Sequence, residues 1–314
     1  MNNIIWIIGA GGIAIEYAKV LKALNKDFIV IGRGEASAIK FKEETGVAPI
    51  VGGLDMFLQT NPELPGAAIN CVRAFELGQT NICLANYGVK KILSEKPGLF
   101  PYEANDLIKV AKEYGTKIFI AYNRRFFSSV FAAQKVIEED GGLLSFNFEF
   151  TEWAHVIEAT ASIPETEKNN LFISNSSHVV DLAFFLGGEP KEMTCYQNGT
   201  VGWHTPSNFV GSGITQEGVL FSYNANWNAP GRWSVELLTA KHRIYLKPME
   251  QLQLQDKGSV KVYPVVIDDH LDKEFKPGFY LETKAFIEGD YTRLCSLIQQ
   301  TNHIENIYNK VLGR

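Results

Sequence analysis

Over the first 122 residues, short apolar runs alternate with stretches whose apolar positions recur every three or four residues. The runs predict strands at 4–8, 28–31, 67–72, 91–94 and 117–121, with a weaker one at 49–51. Between them, "EYAKVLKAL" sets Tyr17, Val20, Leu21 and Leu24 on one helical face, and "ANDLIKVAKEY" repeats the spacing. Strand and helix in strict alternation imply right-handed crossovers and a parallel sheet covered by helices.

Beyond Tyr122 the period changes from helix-and-run to two. In "LSFNFEFT", Leu144, Phe146, Phe148 and Phe150 face one way and Ser145, Asn147, Glu149 and Thr151 the other; "FSYNANW" alternates in the same manner. Further short strands are expected near 191–197, 232–239, 242–247 and 260–266, and helices at 128–139, 177–186, 278–289 and 302–312. The pattern predicts an α/β chain of two domains. Residues 1–122 would carry the parallel sheet, and 123–314 an antiparallel or mixed sheet with one face covered, the last helix packing back on the first domain. Residues 157–172 are the least patterned and are expected to form a mobile loop.

Composition narrows the class of partner. A chain of 314 residues with 46% hydrophobic content suits two cores, at roughly 150 residues per domain. Its net charge of -5, with acids and bases interspersed, offers no electrostatic footprint for nucleic acid or an anionic membrane, so a small molecule is the expected partner. Cys71, Cys83, Cys195 and Cys295 are widely spaced, and the six histidines form no ligand-spaced pair; neither a disulfide framework nor a metal site is expected. The opening "MNNIIWIIGAGGIAIEYA" lacks the basic start of a signal peptide, and no stretch has the length and apolarity of a bilayer span, so a cytoplasmic protein with reduced thiols is expected.

The glycines of that opening carry the first chemistry. Gly9, Gly11 and Ala14 form G-x-G-x-x-A between a strand and a helix at the head of a βαβ unit. The first glycine allows a tight turn, the second admits a pyrophosphate to the backbone, and the helix N-terminus faces the phosphates. Gly9, Ala10, Gly11, Gly12 and Ile13 are therefore candidate cofactor-binding positions. A dinucleotide site for NAD has an acid at the end of the second strand; this chain has Gly32 and Arg33, which favours NADP, with NAD the alternative if Arg33 is only a solvated charge.

Ligands of open α/β sheets bind outside the carboxyl ends of the strands. Those ends hold Asn70 and Cys71, then Glu95, Lys96 and Pro97, then Asn123, Arg124 and Arg125. A lysine at such an edge can donate a proton to a carbinol or carbonyl oxygen if burial or a cationic neighbour, here Arg124 or Arg125, lowers its pKa. The bland alternative is a surface ion pair between Glu95 and Lys96. Trp153, Trp203, Trp227 and Trp233 suit either a sugar site or core and subunit contacts.

Together, "GAGGIA", "EKPG", "YNRRF", "SSHVVDLAFFLGG" and the closing "GFYLETKAFIEG" resemble the Gfo/Idh/MocA family of NAD(P)-dependent oxidoreductases over nearly the whole chain. The resemblance implies a Rossmann dinucleotide-binding domain and a C-terminal α/β domain on an open, mostly antiparallel sheet. It also implies hydride transfer on sugars, polyols or sugar nucleotides, and homodimers or homotetramers formed through that sheet. By the same resemblance Lys96 is the catalytic lysine, Glu95 borders the cofactor, His178 approaches the substrate oxygen and Asp181 holds its helix. The family often has aspartate four residues before that histidine; this chain has Ser174, which cannot accept a proton as a carboxylate does.

The resulting expectation is an NAD(P)-dependent dehydrogenase or reductase. Lys96 and His178 are catalytic; Gly9 to Ile13, Gly32, Arg33, Asn70, Cys71, Glu95 and Lys96 bind cofactor; Lys96, Asn123, Arg125, Ser174, Asn175 and His178 meet substrate. The alternatives are a non-catalytic dinucleotide sensor of the same fold and a reductase of non-sugar carbonyls.

Overall fold

A computed structural model describes residues 3–161 and 163–314. The chain divides into two compact units, one of Met1–Asn123 with Leu271–Thr301, the other of Arg124–His270 with Asn302–Arg314. Residues 271–301 thus return to the first unit while 302–314 stay in the second, where the sequence placed both in the second and sent the last helix back. None of the helices among the described residues is long and apolar enough to cross a membrane.

Five parallel strands run through the first unit: β1 (Ile5–Ile8), β2 (Phe28–Ile31), β3 (Ala67–Asn70), β4 (Lys91–Glu95) and β5 (Lys117–Ala121). Their order is β5-β4-β3-β1-β2, and the two-residue strand Cys295–Ser296 of the returning segment adds antiparallel to β5. The weak strand expected at 49–51 is reduced to a single bridge between Ile31 and Ile50 beside β2. The sheet is Rossmann-like, with the reversal of strand order at β1 that opens a ligand crevice. β1 and β3 are buried at every position, as expected of strands covered on both faces.

The second unit holds, among the described residues, an eight-stranded sheet. Its strands are β6 (Ser145–Glu149), β7 (Pro190–Asn198), β8 (Asn208–Thr215), β9 (Leu220–Asn226), β10 (Ser234–Leu238), β11 (His242–Leu246), β12 (Gln253–Asp256) and β13 (Val262–Pro264). The order is β13-β12-β11-β10-β6-β9-β8-β7, antiparallel except for the central β6–β9 pair. Phe146, Phe148, Phe221 and Tyr223 line the buried face, and the ring of Phe184 from the helix Ser177–Gly187 meets Phe146, Phe148 and Phe221 edge-on. Leu144, expected on that face, lies before the strand and is exposed.

β8 has no alternating pattern because its inward positions include Gly211 and Gly213. A Cβ on Gly211 would fall 2.5 Å from the ring of Tyr223, and one on Gly213 2.6 Å from the ring of Phe221. The glycines make room for the aromatic residues of the neighbouring strand. The expected loop at 157–172 is instead partly ordered into the helices Ala154–Ala159 and Glu165–Lys168, with Leu171 and Phe172 buried; Ser162 lies outside the described residues.

Candidate functional site

In the first unit the residues singled out from the sequence gather at the carboxyl edge of the parallel sheet. Gly9 leaves β1 with φ 108°, and a Cβ there would lie 2.8 Å from the carbonyl oxygen of Cys71 after β3; only glycine fits. The helix Gly12–Ala23 then starts from Gly11 with no side-chain cap and no acid in its first turn, and no atom lies within 4 Å of a Cβ built on Gly11 or Gly12. Bare backbone N–H groups with open space before them suit a pyrophosphate. The cradle therefore fits a dinucleotide.

Just beyond β2, Arg33 is exposed and paired with Glu76, Nη1 to Oε1 2.9 Å. The side chain of Asn70, a candidate cofactor-binding position, is engaged within the fold: its Nδ2 donates to Leu77 O (3.2 Å) and Asn81 Oδ1 (2.8 Å) and its Oδ1 accepts from Val72 N (3.4 Å). The buried amide is consumed in tying β3 to the helix that follows.

The stretch carrying Lys96 is pinned from both sides. Asn81 Nδ2 donates to Ser94 Oγ (2.9 Å) and to Gly98 O (3.0 Å), while Gln300 Nε2 from the returning segment donates to Pro97 O (2.9 Å). Lys96–Pro97 is a cis peptide, and Gly98 follows at φ 78° with Ile120 packed where a Cβ would sit. Glu95 turns inward: Tyr17 Oη, fully buried on the helix of the glycine turn, donates to its Oε1 at 3.0 Å and lies 3.5 Å from buried Glu282. Burial pushes the Glu95 carboxyl above its usual range, against the charges of Lys96 and Lys276 and the Tyr17 bond. Burial and then Glu95 also hold the Cys71 thiol well above its ordinary value, so it stays protonated. Asn123 donates from Nδ2 to Pro277 O at 2.9 Å.

In the second unit, His178 is buried near the start of the helix Ser177–Gly187, its ring 6.2 Å from that of Trp233. A π-helical turn, Phe172–Ser176, precedes the helix and contains buried Ser174 and half-buried Asn175. No serine caps the helix here. Ser177 Oγ donates back to Ile173 O (2.7 Å) and Ser176 Oγ to Glu152 Oε1 (2.7 Å). One turn after His178, Asp181 accepts two bonds from Arg125, Nε to Oδ2 2.8 Å and Nη2 to Oδ1 2.5 Å. This bidentate pair, 2% and 1% exposed, corrects the expectation that Arg125 greets substrate: its guanidinium is committed to the helix. His303 closes the same cluster, Nδ1 3.7 Å from Asp181 Oδ1 and Nε2 2.7 Å from Glu189 Oε1.

Sequence reasoning missed Glu152. It sits three residues beyond β6, is 1% exposed, and joins Asn175, Ser176, Arg232 and Trp233. Arg232 is stacked between the rings of Trp153 (4.9 Å) and Trp233 (4.6 Å). Trp203 and Trp227 stack on each other at 5.6 Å and are buried, so these two belong to the core.

No protein-family model matches the chain, and no curated protein sequence does. Solved structures match along its full length. The UDP-N-acetylglucosamine 3-dehydrogenase of Acidithiobacillus ferrooxidans is 14% identical with TM-score 0.74, covering 100% of this chain and 99% of the other. A levoglucosan dehydrogenase in complex with NADH and levoglucosan is 16% identical with TM-score 0.77, covering 100% and 97%. The WlbA dehydrogenase of Chromobacterium violaceum, in complex with NADH and UDP-GlcNAcA, is 16% identical with TM-score 0.71, covering 98% and 92%. At such identities the likeness is one of fold: a Rossmann-like parallel sheet joined to a second, mostly antiparallel sheet.

Proposed function

We propose that this protein is an NAD(P)-dependent oxidoreductase that interconverts a secondary hydroxyl and a ketone on a sugar, polyol or sugar nucleotide, with NADP preferred. The observation that carries the reading is the pinned Ser94–Gly98 turn. It holds Lys96 at the same sheet edge as the glycine cradle, while Glu95 is drawn away into the fold by Tyr17.

Gly9, Ala10, Gly11, Gly12 and Ile13 would hold the pyrophosphate, Gly32 lets the end of β2 pass close to Ala10 of the glycine turn, and Arg33 would exchange Glu76 for the 2'-phosphate. A bound nicotinamide supplies or accepts the hydride. Lys96 Nζ donates to the reacting oxygen or takes up its proton, and His178 relays that proton. Asn123, Ser174 and Asn175 bind substrate hydroxyls, and Arg125 acts at one remove by holding Asp181 and with it the helix of His178. Glu95 fixes the course of the chain into Lys96. The ligands of the structural neighbours, levoglucosan and UDP-GlcNAcA, support a carbohydrate class of substrate.

The outer face of the second sheet supports the reading of a homo-oligomer. Tyr196, Val210 and Asn224 lie side by side across β7, β8 and β9, exposed and without charge. Light scattering on the purified protein tests this, a monomer refuting it.

Function is tested by titrating the protein with NADPH and NADH, then following absorbance at 340 nm with a panel of sugars, polyols and sugar nucleotides. Lys96→Met should lower turnover about 10²-fold or more while cofactor affinity holds. Cofactor binding with no turnover on any substrate would favour a dinucleotide sensor; wild-type turnover in the variant would refute the role of Lys96.

A further inference from the structure

The second unit keeps one carboxylate out of water that the proposed chemistry leaves without a task. Both oxygens of Glu152 are surrounded by donors. Oε1 accepts from Ser176 Oγ (2.7 Å), Asn175 Nδ2 (3.1 Å) and Trp233 Nε1 (3.2 Å), and Oε2 from Arg232 Nη1 (2.9 Å). Four donors and no acceptor suit the ionised form, which only accepts. Burial pushes the carboxyl up, and Ser176, Arg232 and Trp233 push back. A charge held in the interior at that expense is weak evidence for stability.

The geometry it serves is that of Asn175. An amide facing an ionised carboxylate has to present its NH2, so Asn175 cannot flip, and its Oδ1 is aimed the other way. Among the described residues that oxygen accepts no hydrogen bond, and Asn175 is only half buried. The residue stands in the π-helical turn Phe172–Ser176, a rare conformation that recurs at functional sites, three residues before His178.

We propose that Glu152 is a positioning residue for substrate recognition: by holding the NH2 of Asn175 it presents Asn175 Oδ1 as a fixed acceptor, selecting a substrate with a free hydroxyl, rather than a deoxy carbon or a carbonyl, at that point. The proposal rests on the oxidoreductase reading for its substrate and adds a specificity that reading does not contain.

The test is a double-mutant cycle on a sugar that the wild type turns over, paired with its deoxy analogue. Glu152→Gln and Asn175→Ala should each raise KM for the hydroxylated sugar roughly tenfold, the worth of one directed hydrogen bond, with the loss falling on KM rather than kcat. Neither should alter KM for the deoxy sugar. In the Asn175→Ala background, Glu152→Gln should add nothing. Additive effects, or equal losses on both sugars, would overturn the proposal, since a role in packing alone predicts these. If Glu152→Gln fails to fold, Asn175→Ala with the two sugars decides the matter by the same criterion. If the wild type binds NADPH but turns over no sugar, the oxidoreductase reading fails separately, and the inference is then judged by thermal shift. A sugar that stabilises the wild type and Asn175→Ala equally, or stabilises neither, overturns it.

Discussion

Replacing Asp181 with alanine should unfold the second unit far more readily than its single lost carboxylate suggests. Arg125 and Asp181 are 2% and 1% exposed and joined by two bonds, so removal of the acid strands a guanidinium in the interior. Breaking a buried pair from one side costs about 3–5 kcal/mol, because the remaining charge has lost its compensation. His303, 3.7 Å from Asp181, cannot replace it, being a potential cation itself. With a urea dependence of about 2–3 kcal/mol/M, the midpoint should fall by roughly 1–2 M. Tryptophan fluorescence reads the right unit, since of the five tryptophans only Trp6 lies in the first. The paired replacement Arg125→Met with Asp181→Leu should recover most of the loss, as an ion pair and a well-packed apolar pair of similar volume come out nearly even. A loss below about 1 kcal/mol in Asp181→Ala, or a double variant no better than the single, would refute the reasoning.

Gly9→Ala forces a Cβ to 2.8 Å from Cys71 O at φ 108°, so both the melting temperature and dinucleotide affinity should fall, whereas Gly11→Ala meets no protein atom and should lose dinucleotide affinity with its melting temperature kept. Calorimetry with and without NADPH separates the two; equal behaviour would count against the cradle. Burial raises the Glu95 carboxyl, so the folded chain holds that proton more tightly than the unfolded one. Stability attributable to it therefore declines as pH rises from about 4.3 through the raised folded value. Glu95→Gln should flatten this decline in melting temperature between pH 4 and 8, and an unchanged slope would contradict the inward placement. Arg33→Ala should weaken NADPH binding about tenfold or more and leave NADH nearly unaffected, as fluorescence titration would show; equal loss for both would remove Arg33 from cofactor selection.

Much of the first unit was legible because its strands are unbroken apolar runs between polar or glycine boundaries: β2 and β5 fall where the pattern put them. The strand Cys295–Ser296 was not, since two residues carry no period. β8 was hidden by Gly211 and Gly213, whose missing side chains make room for Phe221 and Tyr223 rather than for a turn. At the candidate site, polar residues at strand ends all look alike in sequence. Asn70 and Arg125 proved to satisfy the fold's own buried groups, because partners such as Asn81 and Asp181 can be known only once the chain has folded. Glu152 was invisible for the same reason, its partners lying 23 to 81 residues away.

The polypeptide passes between its two units three times, after Asn123, His270 and Thr301. During synthesis, then, neither half is finished early: the sheet of the first waits for Ser296 to emerge, and the second waits for buried Tyr308 and Val311. Deleting residues 295–314 would leave both halves defective. One protease nick at any crossing would still leave them covalently tied.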